Sequence, residues 1–388
     1  MKNRLTAGRI FILLSAFLLS AGIAAAETPV GRIAYLEGIV DVHRDGEIIE
    51  LFDSDVGMEL LNQDLIETGG DGVLTVEITA FRNSGTTITV SENTAFYFDV
   101  TRSMGGDVKT EMPMLAGSLA FKVQKLSGSE ELNVRTSTAV MGVRGTEFEV
   151  VSAPEGSVLV VCVEGRVACQ DDQRGQQTAQ AGRVVEKRSG ENIRRIDVDP
   201  GDERLYRDFW EGQREQVFKA GAATFIKAYS QQYQTLLPQF SEAYQKVLSH
   251  RDTLLRYGRT LPAAGVNADL MMIYNELSRD LIPSRGIFVM FEQVFYSVKV
   301  LQRYHSQGIG QTRINPSLTS QEFFNNFNSY QSVLTDQLAN MHYFYKLFAN
   351  IAGSASPAGE ILGDVFSSGN NPLGGGNVPT GNVPSGGF

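Results

Sequence analysis

The chain has 388 residues, 20% of them charged, with two cysteines, one tryptophan and a formal charge of −10. A hydrophobic fraction of 42% supplies a buried core and excludes wholesale disorder, and the length suits two or three domains. The acid surplus is local: residues 27–200 carry 16 basic and 29 acidic side chains and residues 201–388 carry 15 of each, with no basic run, which excludes nucleic acid as the main ligand.

Lys2, Arg4 and Arg9 precede an apolar run from Ile10 to Leu19, and Ala24-Ala25-Ala26 forms an A-x-A cleavage site before Glu27. This predicts a cleavable export signal over 1–26. The run is about half the ~20 residues that a spanning helix needs. No later segment is longer and apolar, so the mature chain is expected outside the cytosol, periplasmic or associated with the cell envelope, without a transmembrane span.

Residues 27–199 alternate with the period of strands. Val73-Leu74-Thr75-Val76-Glu77-Ile78, Thr87-Ile88-Thr89-Val90 and Val158-Leu159-Val160-Val161 are short β-branched runs separated by Gly, Asn and Asp turns, which predicts an all-β unit. Val161 to Cys169 reads as a hairpin turning at Glu164-Gly165, which places Cys162 and Cys169 on one face as diagonal neighbours. In an oxidising compartment the two form a candidate disulfide; the alternative is a pair of small buried hydrophobes. Their spacing excludes a redox C-x-x-C pair.

From Asp202 the period becomes 3.6, and residues 202–352 predict an aromatic-rich helical bundle. Phe218, Ala222, Phe225, Tyr229, Tyr233, Leu236, Phe240, Tyr244 and Val247 make one apolar stripe, with a kink or break expected at Pro238. A second helix is expected from about Asn267 to Leu281, stopping before Pro283, and a third carries Phe288, Phe291, Phe295 and Val298. A fourth opens at Thr319, which with Glu322 makes a capping box. Eleven of the 13 tyrosines lie beyond residue 200. The last stretch, 353–388, holds 10 Gly and four Pro and twice spells Gly-Asn-Val-Pro; such a composition predicts a disordered tail, or a short motif that docks a partner.

Five phrases in the β half, at 31–40, 63–69, 115–123, 134–150 and 160–167, together resemble the FecR domain family, most specifically at Val143-Arg144-Gly145-Thr146. The resemblance implies a compact β unit of stacked short strands, solenoid-like or rolled, and so an α+β multidomain chain overall. FecR itself is an inner-membrane sensor that relays receptor state to a sigma factor. Here a cleavable signal stands where such a sensor has its membrane span, so only the extracytoplasmic β module is carried over. Arg144, in the most specific phrase, is a candidate contact for an anionic ligand or a partner carboxylate; the alternative is an Arg tying carbonyls together inside the β fold.

Catalytic motifs are sparse. His43, His250, His305 and His342 are scattered without metal-ligand spacing, and each reads as a surface or rim histidine. Asp197-Val198-Asp199-Pro200-Gly201-Asp202-Glu203 lacks EF-hand spacing and reads as a linker plus helix start, where Asp202 and Glu203 complement the helix dipole. No catalytic, cofactor or metal residue is assigned. The expected role is an exported, non-enzymatic FecR-domain protein that binds or scaffolds an envelope protein or cell-wall glycan. The alternative is a periplasmic ligand-sensing subunit reporting to a membrane partner.

Overall fold

Two series of strands share the first half of the chain, which crosses between them at tight corners. In hydrogen-bonding order, one series runs Gly31–Glu37, Val73–Ile78, Thr87–Val90, Ser118–Lys122, Glu147–Ser152, Val158–Glu164, Arg183–Lys187, Arg194–Asp197. The other runs Glu47–Glu50, Val40–Arg44, Leu65–Thr68, Ala95–Tyr97, Val108–Ala116, Glu131–Arg135, Ala139–Val143, Arg166–Asp171, Gln176–Gln180. Inward residues of both meet in one apolar core, where Phe121 stacks on Phe148 at 4.5 Å. The computed structural model describes residues 27–82, 85–102, 108–128, 130–143, 145–259 and 268–355. The expected export signal at 1–26, Arg144 and the residues from 356 onward lie outside these residues.

The solenoid reading is not supported by this pairing. A solenoid stacks parallel rungs, whereas among the described residues the one parallel ladder joins Val108–Ala116 to Glu131–Arg135 and the others are antiparallel. The hairpin expected at Glu164-Gly165 is also corrected. Val158–Glu164 pairs with Glu147–Ser152 and Arg183–Lys187, while Arg166–Asp171 pairs with Ala139–Val143 and Gln176–Gln180, so the chain changes series at this point. Gly165 makes that corner possible: its φ is +86°, and a Cβ there would lie 2.8 Å from the Gly145 carbonyl oxygen. Cys162 therefore faces Phe148 across its ladder and Cys169 faces Met141 across another, both as buried free thiols.

Four helices follow: α1 Glu203–Ser249, α2 Arg251–Tyr257, α3 Ala268–Ser306 and α4 Ser320–Ala355. At 1.5 Å per residue α1 is about 70 Å long. The chain does not break at either proline: Pro238 lies inside α1, which leaves only the kink of the expected kink or break, and Pro283 lies inside α3, which fuses the second and third expected helices. An interior proline costs about 3 kcal/mol. Apolar packing on both sides offsets it, because Tyr233 and Phe240 flank Pro238, Leu281 and Phe288 flank Pro283, and all four are buried in one cluster. Phe240 stacks on Phe291 at 4.3 Å, joining α1 to α3, and Tyr233 meets Phe327 edge-on, joining α1 to α4. Most of the helical aromatics thus fill the core, though Tyr330 is exposed.

The capping box forms as read: the Thr319 amide donates to the Glu322 carboxylate at 2.8 Å, and the Glu322 amide donates to the Thr319 hydroxyl at 3.3 Å. α4 runs to Ala355, past the expected tail boundary at 353, because Ile351 and Ala352 are buried against the helical core. Among the described residues no helix is long and apolar enough to cross a membrane.

Candidate functional site

The helices are not sealed off from the strands. Leu65, Ala95, Tyr97 and Leu115 of the β half sit in the same apolar cluster as the α1, α3 and α4 aromatics. At the start of α1 the chain's only tryptophan, Trp210, is buried among Val151, Ala153, Leu159, Val161 and Val184. Its indole Nε1 donates to Glu186 Oε1 at 2.7 Å, and Arg188 and Arg194 donate to the same buried carboxylate at 2.8 and 2.7 Å. Burial works against the charge of Glu186, and the Arg188, Trp210 and Arg194 donors outweigh it, holding its pKa below the ordinary carboxylate range.

Charge follows the same seam. Arg204 donates to Glu149 at 3.0 Å and to Glu147 at 2.8 Å, and Arg207 reaches the other Glu149 oxygen at 2.5 Å. Arg285 faces Asp99 at 3.7 Å, Lys299 pairs with Glu67, and Lys346 lies between Glu27 and Asp45 at 2.8 and 3.0 Å. Each half-exposed pair contributes little alone. Together they set cations of the neutral helical half against the acid surplus of the β half.

The helix start at 202–203 does more than complement a dipole. Glu203 is buried, and its carboxylate accepts from the Gly182 and Gly201 amides at 2.7 and 2.9 Å, tying α1 to the turn before the strand Arg183–Lys187. The histidine expectation is corrected. His43, His305 and His342 are buried, because each sits where strands or helices pack on one another. His342 meets Glu292 at 2.6 Å, His305 meets the Ser320 hydroxyl at 2.9 Å, and the partly buried His250 meets Asp280 at 2.9 Å. Among the described residues no three potential ligands come together to hold a metal ion.

A cleft of about 560 Å³ opens where the strand corners meet α1 and α3. Its floor is built around Gly117, at φ +88°, where a Cβ would lie 2.5 Å from Thr94 Cα. That close approach lets the Ser118 amide donate to the Thr94 hydroxyl at 3.0 Å, fixing Asn93 and Ser118 side by side on the floor. Trp210, Arg207 and Arg214 of α1 form one wall, and Gln293, Arg303 and Tyr304 of α3 form the other. Gln293 Nε2 donates to the Leu115 carbonyl at 3.1 Å, locking α3 to the strands. Burial lowers the pKa of Arg303, and among the described residues no carboxylate lies within ion-pair distance of it.

The candidate residues from the sequence fall elsewhere. Cys162 and Cys169 are core residues whose thiols burial pushes up to about 11 and about 12. Their sulfurs contact the Glu164 and Val167 carbonyls, away from the cleft lining. The cleft residues come from positions near 92, 117, 152, 210 and 303, and no local motif links them. The lone tryptophan was the one available signal.

Residues 64–168 match the family model described as FecR protein, so the β half carries a FecR-type segment. It includes the Gly117 floor and Glu149 but none of the helices. Two crystal structures described as a candidate anti-sigma factor from Parabacteroides distasonis, at 2.50 and 1.65 Å resolution, share 17% identity with the chain, with TM-scores of 0.30 and 0.29. Each match covers 37% of this chain and 63% of the other, less than two thirds of that chain's length. No curated protein matches the chain.

Proposed function

We propose that the protein is an exported, non-enzymatic FecR-type module of the bacterial cell envelope that acts by binding a partner protein. The observation that carries this reading is the seam. The β half, which carries the FecR-type segment, and the helices are held as one packed body by Trp210 on Glu186, Arg204 and Arg207 on Glu149, and Lys299 on Glu67. Beside the Glu149 pairs the first turns of α1 leave Leu205 and Phe209 exposed, at 65% and 58%. Apolar side chains ringed by charged ones suit a protein partner better than a glycan. A photo-crosslinker at Phe209 in intact cells is expected to trap an envelope protein; a Phe209 probe that traps nothing while the protein is present at normal levels overturns the reading.

A second reading, a ligand-sensing subunit reporting to a membrane partner, draws on the cleft. It sits where strands and helices meet, so its occupant would touch both. Co-purification with an inner-membrane protein that depends on added ligand supports sensing, and ligand-independent association supports a scaffold.

A further inference from the structure

We propose that the cleft between the strand corners and helices α1 and α3 binds a small hydroxylated carboxylate of the sugar-acid class, with Arg303 holding the carboxylate. This goes beyond partner binding and holds whether the module scaffolds or senses.

Three observations define the ligand. The volume, about 560 Å³, lies in the ordinary range for small-molecule sites. The lining carries three arginines and three glutamates, and one of its guanidiniums stands outside any ion pair among the described residues. Of the three guanidiniums on the walls, Arg207 is engaged by Glu149, and Arg214 faces Glu155 at 3.8 Å, whereas Arg303 has no carboxylate within ion-pair distance among the described residues, Glu67 and Glu92 acting on it only from farther off. Glu92, Glu211 and Glu215 also line the cleft and would repel a dianion, which argues against phosphate. The rest of the lining asks for hydroxyls. Ser91, Ser118, Ser137, Ser152 and Ser297 with Asn93 present short donors and acceptors, and Tyr304 offers a ring. A guanidinium suits the carboxylate because its planar fork matches two oxygens.

Trp210 lines the cleft and is the only tryptophan in the chain, so its fluorescence reports occupancy directly. The full chain is titrated with D-galacturonate, D-glucuronate and N-acetylmuramate, with D-galactose, acetate and inorganic phosphate as comparisons, and calorimetry confirms each response. The expected result is a saturable signal with at least one sugar acid and none at the same concentration with galactose or acetate. Arg303→Gln is expected to weaken binding about tenfold or more, with unchanged circular dichroism and melting temperature. Arg303→Lys, which keeps the charge without the fork, is expected to fall between, and it serves as the test if Arg303→Gln does not fold. Absence of saturable binding to all three sugar acids, equal binding of acetate or phosphate, or undiminished affinity in the Arg303 variants overturns the proposal. None of these outcomes bears on crosslinking through Phe209, so the two readings fail separately.

Discussion

Trp210 Nε1 donates a 2.7 Å hydrogen bond to Glu186 Oε1, which joins the first turns of α1 to the strand Arg183–Lys187. The indole lies in an apolar pocket, and the carboxylate it meets is fully buried with two arginines. Trp210→Ala is expected to cost about 3–5 kcal/mol, the usual loss for a buried aromatic. Trp210→Phe keeps most of the packing and leaves Glu186 one donor short, for about 1–2 kcal/mol. Urea unfolding followed by far-ultraviolet circular dichroism separates them; a Trp210→Phe variant as stable as the wild type would mean that the hydrogen bond contributes nothing.

His43 gives stability a pH dependence. It is buried between the strands and α3, and burial lowers its pKa from 6.5 to about 4, with Glu67 opposing that fall and Lys299 and His342 adding to it. The unfolded chain takes up a proton near 6.5 that the folded state refuses, so this contribution is present at neutral pH and is lost as pH falls from about 6.5 towards 4. The loss is on the order of 2 kcal/mol by about pH 5. His43→Gln should flatten that slope relative to the wild type in urea titrations at several pH values. Parallel slopes for the two proteins would remove His43 from the account.

Two glycines predict opposite outcomes. Gly117 has φ +88°, and its absent Cβ would lie 2.5 Å from Thr94 Cα, whereas Gly212 lies in α1 with nothing within 4 Å. Gly117→Ala is expected to destabilise by about 3 kcal/mol through strain and overpacking. Gly212→Ala is expected to stabilise by about 0.5–1 kcal/mol by lowering backbone entropy in a helix. Melting temperatures measured side by side test both; a neutral Gly117→Ala would contradict the close approach on the cleft floor.

The two thiols should be slow to react. Cys162 and Cys169 are buried, and burial pushes their pKa values up to about 11 and about 12, so little thiolate forms near neutral pH. Iodoacetamide is expected to leave the native protein unmodified over minutes and to add two adducts after denaturation, read by intact mass. No adducts without prior reduction would establish instead the Cys162–Cys169 bridge raised by their spacing.

Local pattern accounts for much of this protein. Period-2 runs such as Val73–Ile78 form strands with Leu74, Val76 and Ile78 inward, because side-chain alternation is a property of the extended backbone itself. The 3.6-residue stripe of α1 and the Thr319 box of α4 are likewise decided within a few residues of chain. Where the sequence misled, a distant contact outweighed a local one. Pro238 and Pro283 stay helical because buried apolar side chains on either side offset a lost backbone bond. The turn at Glu164-Gly165 became a corner because both flanking strands found better partners elsewhere. Polar histidines ended buried because packed elements closed over them.

The seam and the cleft depend on tertiary structure alone. Arg303 and Ser118 stand 185 positions apart and meet on one cleft because α3 docks on the strand corners, a placement set by the buried side chains of Leu115, Tyr97 and the helical aromatics. Pairings such as Arg207 with Glu149 and Trp210 with Glu186 follow from that docking. Sequence alone shows that one half is acidic and the other neutral. Which acid meets which base depends on distance in space, and the chain order does not encode that distance.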